Sequence, residues 1–246
     1  MVSPVQHRSN VRNGLLAALP PGDLALLRPA LQRIELRYDQ VILPAGGLLE
    51  AVLFPESGMV SLLAPLDGGE RVEVGIAGRE GLVGLPLVLG DSRSPTEGRV
   101  QVAGTALRLG ATALRTAMDR SETVRTLLLR YALAFHAQVT ATAACNARHP
   151  IEQRLARWLL VAVDRADGDA FPITHEFLSH MLGVRRPGVS LAAGVLQKAG
   201  LIHYARGRME ITDRPGLEVA SCECYHTVRR EQDRLLGADT AERRID

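Results

Sequence analysis

Between about Arg33 and Leu109, apolar and polar residues alternate in short runs. Ile34 and Leu36 alternate with Arg33, Glu35 and Arg37; Val72, Val74 and Ile76 with Arg71, Glu73 and Gly75; Val100 and Val102 with Arg99 and Gln101. A period of two marks strands with one buried face. Turn clusters at Ala45-Gly46-Gly47, Glu56-Ser57-Gly58, Asp67-Gly68-Gly69 and Ala77-Gly78-Arg79 separate the runs, a rhythm that fits an antiparallel sandwich or barrel. Ahead of the strands a helical piece is expected over Leu15 to Leu19 and Asp23 to Leu31, interrupted by Pro20-Pro21.

After Leu109 the period becomes helical, and no turn cluster interrupts it before Pro150. Ser121 can cap a helix whose first turn holds Glu122, matching the positive end of the helix dipole. Its apolar stripe runs Val124, Leu128, Tyr131, Phe135 and continues through Gln138, Thr142 and Cys145, with Leu127, Ala134 and Ala141 beside it. Two faces therefore need partners, one on the chain's own sheet and one on another helix. One reading is a long core helix of a monomer. The favoured one is a two-fold dimer seam through Val124, Leu128, Tyr131, Phe135 and Thr142, because about 28 helical residues span about 42 Å, more than a small domain needs internally.

His149-Pro150 ends that helix, and Pro150 suits the first position of the next, whose apolar residues are Ile151, Leu155, Trp158, Leu159 and Ala162. Asp167-Gly168-Asp169 reads as a turn rather than a calcium loop. From Thr174 the spacing matches two helices joined by a tight turn: Thr174 caps the first, Leu178 and Leu182 face inward, Ser179 is small at the crossing, and Gly183 supplies the turn. Val184 plugs the turn, and Val189 and Ala192 face back. The second helix, Arg186 to Ala199, exposes Arg185, Arg186, Gly188 and Ser190 near its N-terminal end, the part that meets base edges in a major groove. Arginine there can hold guanine through two hydrogen bonds. Two short strands around Ala205-Arg206-Gly207-Arg208 then form a wing, with Arg206 and Arg208 suited to phosphate.

The 246 residues are 46% hydrophobic and carry a net charge of only +2, which excludes a protein that coats polyanions by bulk charge. Local charge differs from the total. From Phe171 to Arg214 six basic residues (Arg185, Arg186, Lys198, Arg206, Arg208, Arg214) face three acidic ones (Glu176, Glu210, Asp213), a segment charge of +3. Aromatic residues make up 4%, so the core is aliphatic. The three cysteines are too few for a disulfide scaffold, the start has no apolar signal-like stretch, and the greasiest run, Gly81 to Gly90, is interrupted by Pro86. A cytoplasmic chain with no membrane partner is expected.

These residues also carry a resemblance. Ile-Glu-Gln-Arg-Leu-Ala-Arg-Trp-Leu-Leu at 151 to 160, Leu-Gly-Val-Arg-Arg at 182 to 186 and Leu-Gln-Lys-Ala-Gly-Leu-Ile at 196 to 202 resemble the Crp/Fnr family of bacterial transcription regulators, with similarity from about Leu15 to Leu235. The resemblance implies an α+β chain: an antiparallel, jelly-roll-like β-roll sensor over 1–110, a long dimerisation helix over 111–148, a winged helix-turn-helix over 149–235 and a disordered tail over 236–246. It implies a homodimeric regulator that is not an enzyme, binding palindromic double-stranded DNA, with RNA polymerase and a small effector as further candidate partners. By similarity Arg186 is the recognition arginine, Val189 and Ser190 lie on the groove side, and Thr174 and His175 lie beside the phosphate backbone. Pro187 stands where family members often have a cytosine-reading glutamate, and Leu191 where another arginine often helps. The competing reading is a ligand-binding or interaction module whose helix-turn-helix no longer reads DNA.

The family's cyclic-nucleotide cassette has a glutamate after a glycine and an arginine for the phosphate; here the stretch is Gly81-Leu82-Val83-Gly84-Leu85-Pro86, without that carboxylate. Arg93, Ser94 and Arg99 are the remaining ligand candidates. Residues 1 to 144 contain no cysteine, and His7 is the sole histidine before His136. Iron–sulfur, haem and two-histidine metal sites in the roll are thereby excluded. In Cys222-Glu-Cys224-Tyr-His226, cysteines two apart on a helix point to different sides, and no second pair completes four ligands. Cys145 is expected to be a packed residue, and His136 and His180 surface or packing residues. No cofactor, metal or catalytic group is expected.

Overall fold

The structure is a computed structural model and describes residues 11–165, 168 and 170–237. The Asp167 and Asp169 positions of the expected turn, the tail from 238 onward and His7 lie outside these residues. Helix α1 (Gly14–Ala17) is capped by Asn13, whose carboxamide also donates to the carbonyls of Pro55 and Gly81 at 2.9 and 2.8 Å. One buried side chain thus pins the N-terminal helix to two parts of the roll. Helix α2 (Pro21–Leu27) opens on Pro21, where a missing N–H costs nothing.

Seven strands follow: β1 (Gln32–Leu36), β2 (Val41–Leu43), β3 (Ala51–Pro55), β4 (Met59–Pro65), β5 (Arg71–Ala77), β6 (Glu97–Val102) and β7 (Gly104–Gly110). They form two antiparallel sheets, β1-β7-β3 and β2-β6-β4-β5, enclosing a core of Leu36, Leu43, Val52, Phe54, Val60, Val100 and Leu109. The expected antiparallel roll is present, with one departure in β5. There Glu73 is buried while Val72 and Val74 are only half covered. Alternation predicts a strand wet on one side, but the far side of this sheet is covered by the C-terminal half, so both of its faces are dry.

Helix α3 (Ala111–Arg120) leads to the long helix α4 (Glu122–Arg148), 27 residues capped by Ser121, whose hydroxyl accepts from the Val124 N–H at 3.0 Å. The expected intersubunit stripe is corrected here. Val124, Leu128 and Tyr131 are buried in the roll's own core, and Phe135 packs on Gly75 of β5. Tyr131 donates to the Leu82 carbonyl at 3.0 Å and abuts Gly81, where a Cβ would meet its ring. Gln138 accepts from the Ile76 N–H at 2.6 Å and donates to the Ile76 carbonyl at 3.2 Å, pairing with the strand as a backbone would. Thr142 meets Arg157 of the following helix. The stripe is an intramolecular seam because the roll covers it from Val124 to Gln138 and the C-terminal helices cover Thr142 and Cys145. What α4 leaves to solvent is another line, Thr126, Leu129, Leu133, His136, Thr140, Ala143 and Ala147, spaced 3,4,3,4,3,4.

Pro150 is the N-cap of α5 (Ile151–Val163), one residue earlier than expected. Then come β8 (Ala170–Pro172), α6 (His175–Leu182), α7 (Arg186–Lys198), β9 (Ile202–Ala205), β10 (Arg208–Ile211), α8 (Arg214–Ala220) and α9 (Cys224–Leu236). Their core, around Leu155, Trp158, Leu159, Leu178, Val189 and Tyr225, also takes in Met59, Leu63 and Ile76 of the roll. At this joint the Trp158 indole donates to Glu73 at 2.8 Å, Ser61 hydrogen-bonds the same carboxyl, and Arg165 pairs with Glu80 at 2.7 Å.

The cysteines also depart from expectation. Cys222 precedes α9 and Cys224 is its first residue, so helical spacing does not separate them, and Cys145 of α4 and His149 at its C-terminal cap lie alongside. A second pair does complete a set of four.

Candidate nucleic-acid interface

The two helices α6 and α7 meet as the spacing requires. Thr174 accepts from the Phe177 N–H at 3.1 Å, starting α6. Gly183 ends it in the left-handed region at φ 59°, a conformation that a Cβ disfavours. The Leu182 carbonyl, otherwise unpaired at the helix end, accepts from the buried Arg154 guanidinium. That contact gives the arginine of Ile-Glu-Gln-Arg a structural job. Leu178, Leu182, Val189, Ala192 and Leu196 then close the hairpin.

Burial sorts the expected contact residues. Arg185, Arg186, Thr174 and Ser190 are exposed, and Gly188 is half-buried against Ile151. Val189 is 0% exposed and packed under the helix, which removes it from the groove side. On a 3.6-residue helix, a residue three beyond an exposed one can turn back into the core, and Val189 does so. Leu191, by contrast, is 73% exposed and Val195 54%. The solvent face of α7 is therefore partly apolar.

His175 is turned inward. Its Nδ1 lies 2.9 Å from Ser190 Oγ, its ring stacks on Tyr204 with centroids 4.3 Å apart, and its Nε2 is buried. Ser190 also donates to the Arg186 carbonyl at 3.2 Å. One imidazole thus joins the start of α6, the N-terminal half of α7 and strand β9. Burial, then the Arg186 guanidinium, holds His175 below the usual imidazole range, which favours the neutral ring that stacking and a buried Nε2 require.

The wing is an antiparallel sheet in the order β8-β10-β9. Arg206 and Gly207 form its two-residue tip with φ of 52° and 74°, the mirror-image turn whose twist suits a hairpin. Arg206 and Arg208 are exposed there, as expected. Arg214 is not part of this surface, since it pairs with Asp164 at 2.5 Å and Glu218 at 3.1 Å. Leaving it out does not change the sign of the segment.

The expected effector residues do not converge. Arg99 is occupied by Asp39 at 2.7 Å and Glu97 at 2.9 Å, Arg93 donates to the Gly46 carbonyl, and Ser94 is buried against Thr96. A cleft of about 980 Å³ opens between the β4–β5 hairpin and the α6–α7 turn; of the three candidates only Arg99 borders it, with Arg71, Val72, Gln101, His180 and Arg185. No single stretch of sequence signals it, because its walls come from both halves of the chain.

Residues 153–220 match the model of a Crp-like helix-turn-helix domain. No curated protein matches the sequence. Among solved structures, FixK2 from Bradyrhizobium japonicum superposes with a TM-score of 0.67 at 17% identity, over 78% of this chain and 98% of its own. A putative Crp/Fnr-family transcriptional regulator from Eubacterium rectale gives 0.66 at 17% identity, over 84% and 96%. A CRP-family transcriptional regulator from Thermus thermophilus gives 0.64 at 19% identity, over 76% and 96%. The chain thus carries a Crp-like helix-turn-helix domain and shares the fold of these Crp/Fnr-type transcription regulators.

Proposed function

We propose that the protein is a homodimeric, sequence-specific transcription regulator of the Crp/Fnr type and not an enzyme, acting on DNA in the cytoplasm. The observation that carries this reading is the surface made by the exposed N-terminal end of α7, with Arg185 and Arg186, and the wing, with Arg206 and Arg208, which His175 ties together through Ser190 of α7 and Tyr204 of the wing strand β9. Arg186 reads guanine; Thr174, Arg206 and Arg208 meet phosphate; Ser190, held in place by His175, reaches a base or phosphate. Leu191 has no hydrogen-bonding capacity, and its exposed methyls suit the C5-methyl of thymine. The dimer forms along the solvent-facing line of α4 through Leu129 and Leu133, placing two reading heads on a palindrome with half-sites about 34 Å apart. A signal acts by favouring one setting of the reading head against the roll, across the joint held by Glu73–Trp158 and Glu80–Arg165.

Selection from a random double-stranded DNA pool tests the reading, and an enriched palindrome is the expected outcome. On that site Arg186→Ala is expected to cost about 1–3 kcal/mol and to relax preference at one base pair per half-site. Equal loss on unrelated DNA makes Arg186 a phosphate contact, and a pool that never enriches removes the proposal.

A further inference from the structure

Where the C-terminal end of α4 meets the start of α9, four side chains with metal-ligating atoms converge. Cys145 lies in the last turn of α4 and His149 is the residue that caps its C-terminal end, while Cys222 and Cys224 come from the turn that opens α9. Their sulfur and nitrogen atoms all lie within 4.8 Å of one another. Cys145 Sγ and Cys222 Sγ are 3.5 Å apart, and Cys224 Sγ and His149 Nδ1 3.8 Å. In a tetrahedral zinc site, Zn–S bonds of about 2.3 Å put neighbouring sulfurs about 3.8 Å apart. Those two separations are close to that edge.

The surroundings suit a metal too. His149 Nε2 lies 3.3 Å from the Glu223 carboxylate, leaving Nδ1 as the free ligand atom; a carboxylate behind a histidine fixes its tautomer and strengthens it as a ligand. All three cysteines are buried in an apolar patch with Ala141 and Val228, so water has little access to compete. The Arg157 guanidinium faces Cys145 and offsets the negative charge that three thiolates leave around a divalent ion.

We propose that Cys145, His149, Cys222 and Cys224 bind one zinc-type divalent ion in a closed Cys3His site that fastens the end of the long helix to the last helix of the reading head. The soft ligand set favours zinc over hard cations, and four protein ligands leave no open position, so the site is structural. Its position matters because His149 and Pro150 form the hinge between α4 and α5. With the ion in place, the hinge has a second anchor across α9.

The test uses the full chain purified under reducing, chelator-free conditions. Native mass spectrometry with elemental analysis is expected to find one zinc per chain, and Ellman's reagent to find the thiols protected until a chelator is added. Co2+ added to the stripped chain is expected to give thiolate charge-transfer bands and the intense visible absorption of tetrahedral coordination. Glu223→Gln, which keeps all four ligands and alters an exposed side chain, is expected to weaken Zn2+ binding about 10–100-fold. Cys222→Ser is expected to lose the ion; should it fail to fold, the Co2+ spectrum and Glu223→Gln still decide. A metal-free chain with reactive thiols, a Cys145–Cys222 disulfide in its place, or several irons with acid-labile sulfide would each overturn the proposal. None of these readouts involves DNA.

Discussion

Single residues set how the two halves of the chain meet. Glu73 is the clearest case, a carboxyl buried between Ser61 and Trp158 on a strand that alternation marks as exposed at that position. Burial raises its pKa from 4.5 to about 7, against the opposing pull of the Ser61 and Trp158 hydrogen bonds and of Arg157 and Arg165. The sign follows from linkage. In the unfolded chain Glu73 loses its proton near 4.5 and in the folded chain near 7, so its favourable contribution is complete below about 4.5 and is lost as pH rises through about 7. Glu73→Gln copies the protonated acid, with an oxygen for the Trp158 N–H and an amide for Ser61. Melting temperatures across this window are expected to fall with rising pH for the wild type relative to the variant; parallel curves would show that Glu73 is ionised in the fold. At this scale the sequence was only partly legible. Arg186 and the cap Thr174 show themselves by position, whereas Val189 does not, because the helix turns it under and only packing reveals that.

Among elements, α4 shows how a correct helix can carry a mistaken face. Its start at Ser121 and its length are readable from the cap and the absence of breakers, and the regular stripe Val124–Leu128–Tyr131–Phe135 is real. Periodicity says that a face is buried and cannot say against what. Here the roll takes that face, with Gly75 of β5 and Gly81 in the turn beyond it leaving room for the rings of Phe135 and Tyr131. The remaining line has weaker hydrophobicity, with Leu129 44% and Leu133 50% exposed in the single chain. Replacing both with glutamate is expected to yield folded monomers by light scattering, with unchanged far-UV circular dichroism and weak binding to a palindrome. A dimer that survives would refute this line as the seam. Leu128→Glu, in contrast, is expected to unfold the roll, because it buries an unpaired charge.

The whole molecule is not two beads on a stalk. Met59, Leu63 and Ile76 of the roll share a core with Trp158, Phe171 and Leu178 of the reading head, and α6 lies against β5. A common core couples the unfolding of both halves. Urea denaturation followed by the fluorescence of Trp158, the single tryptophan, and by far-UV circular dichroism is expected to give coincident transitions. Two separated steps would mean that the joint contributes little. The same continuity places the cleft between the β4–β5 hairpin and the helix-turn-helix where a change of setting would open or close it.

Much that depends on neighbours a few positions away can be read along the chain: the strand and helix periods, the caps at Ser121 and Thr174, the glycine turn at 183, the wing tip and the basic start of the second helix. Such features follow from local sterics and hydrogen bonding, which a short window contains. The folded chain alone reveals which apolar face meets which partner, why Glu73 points inward, and that Cys145 and His149 stand beside two cysteines more than seventy residues further on. Those are contacts between segments far apart in the chain, and a periodicity read along one segment carries no information about the surface that will cover it.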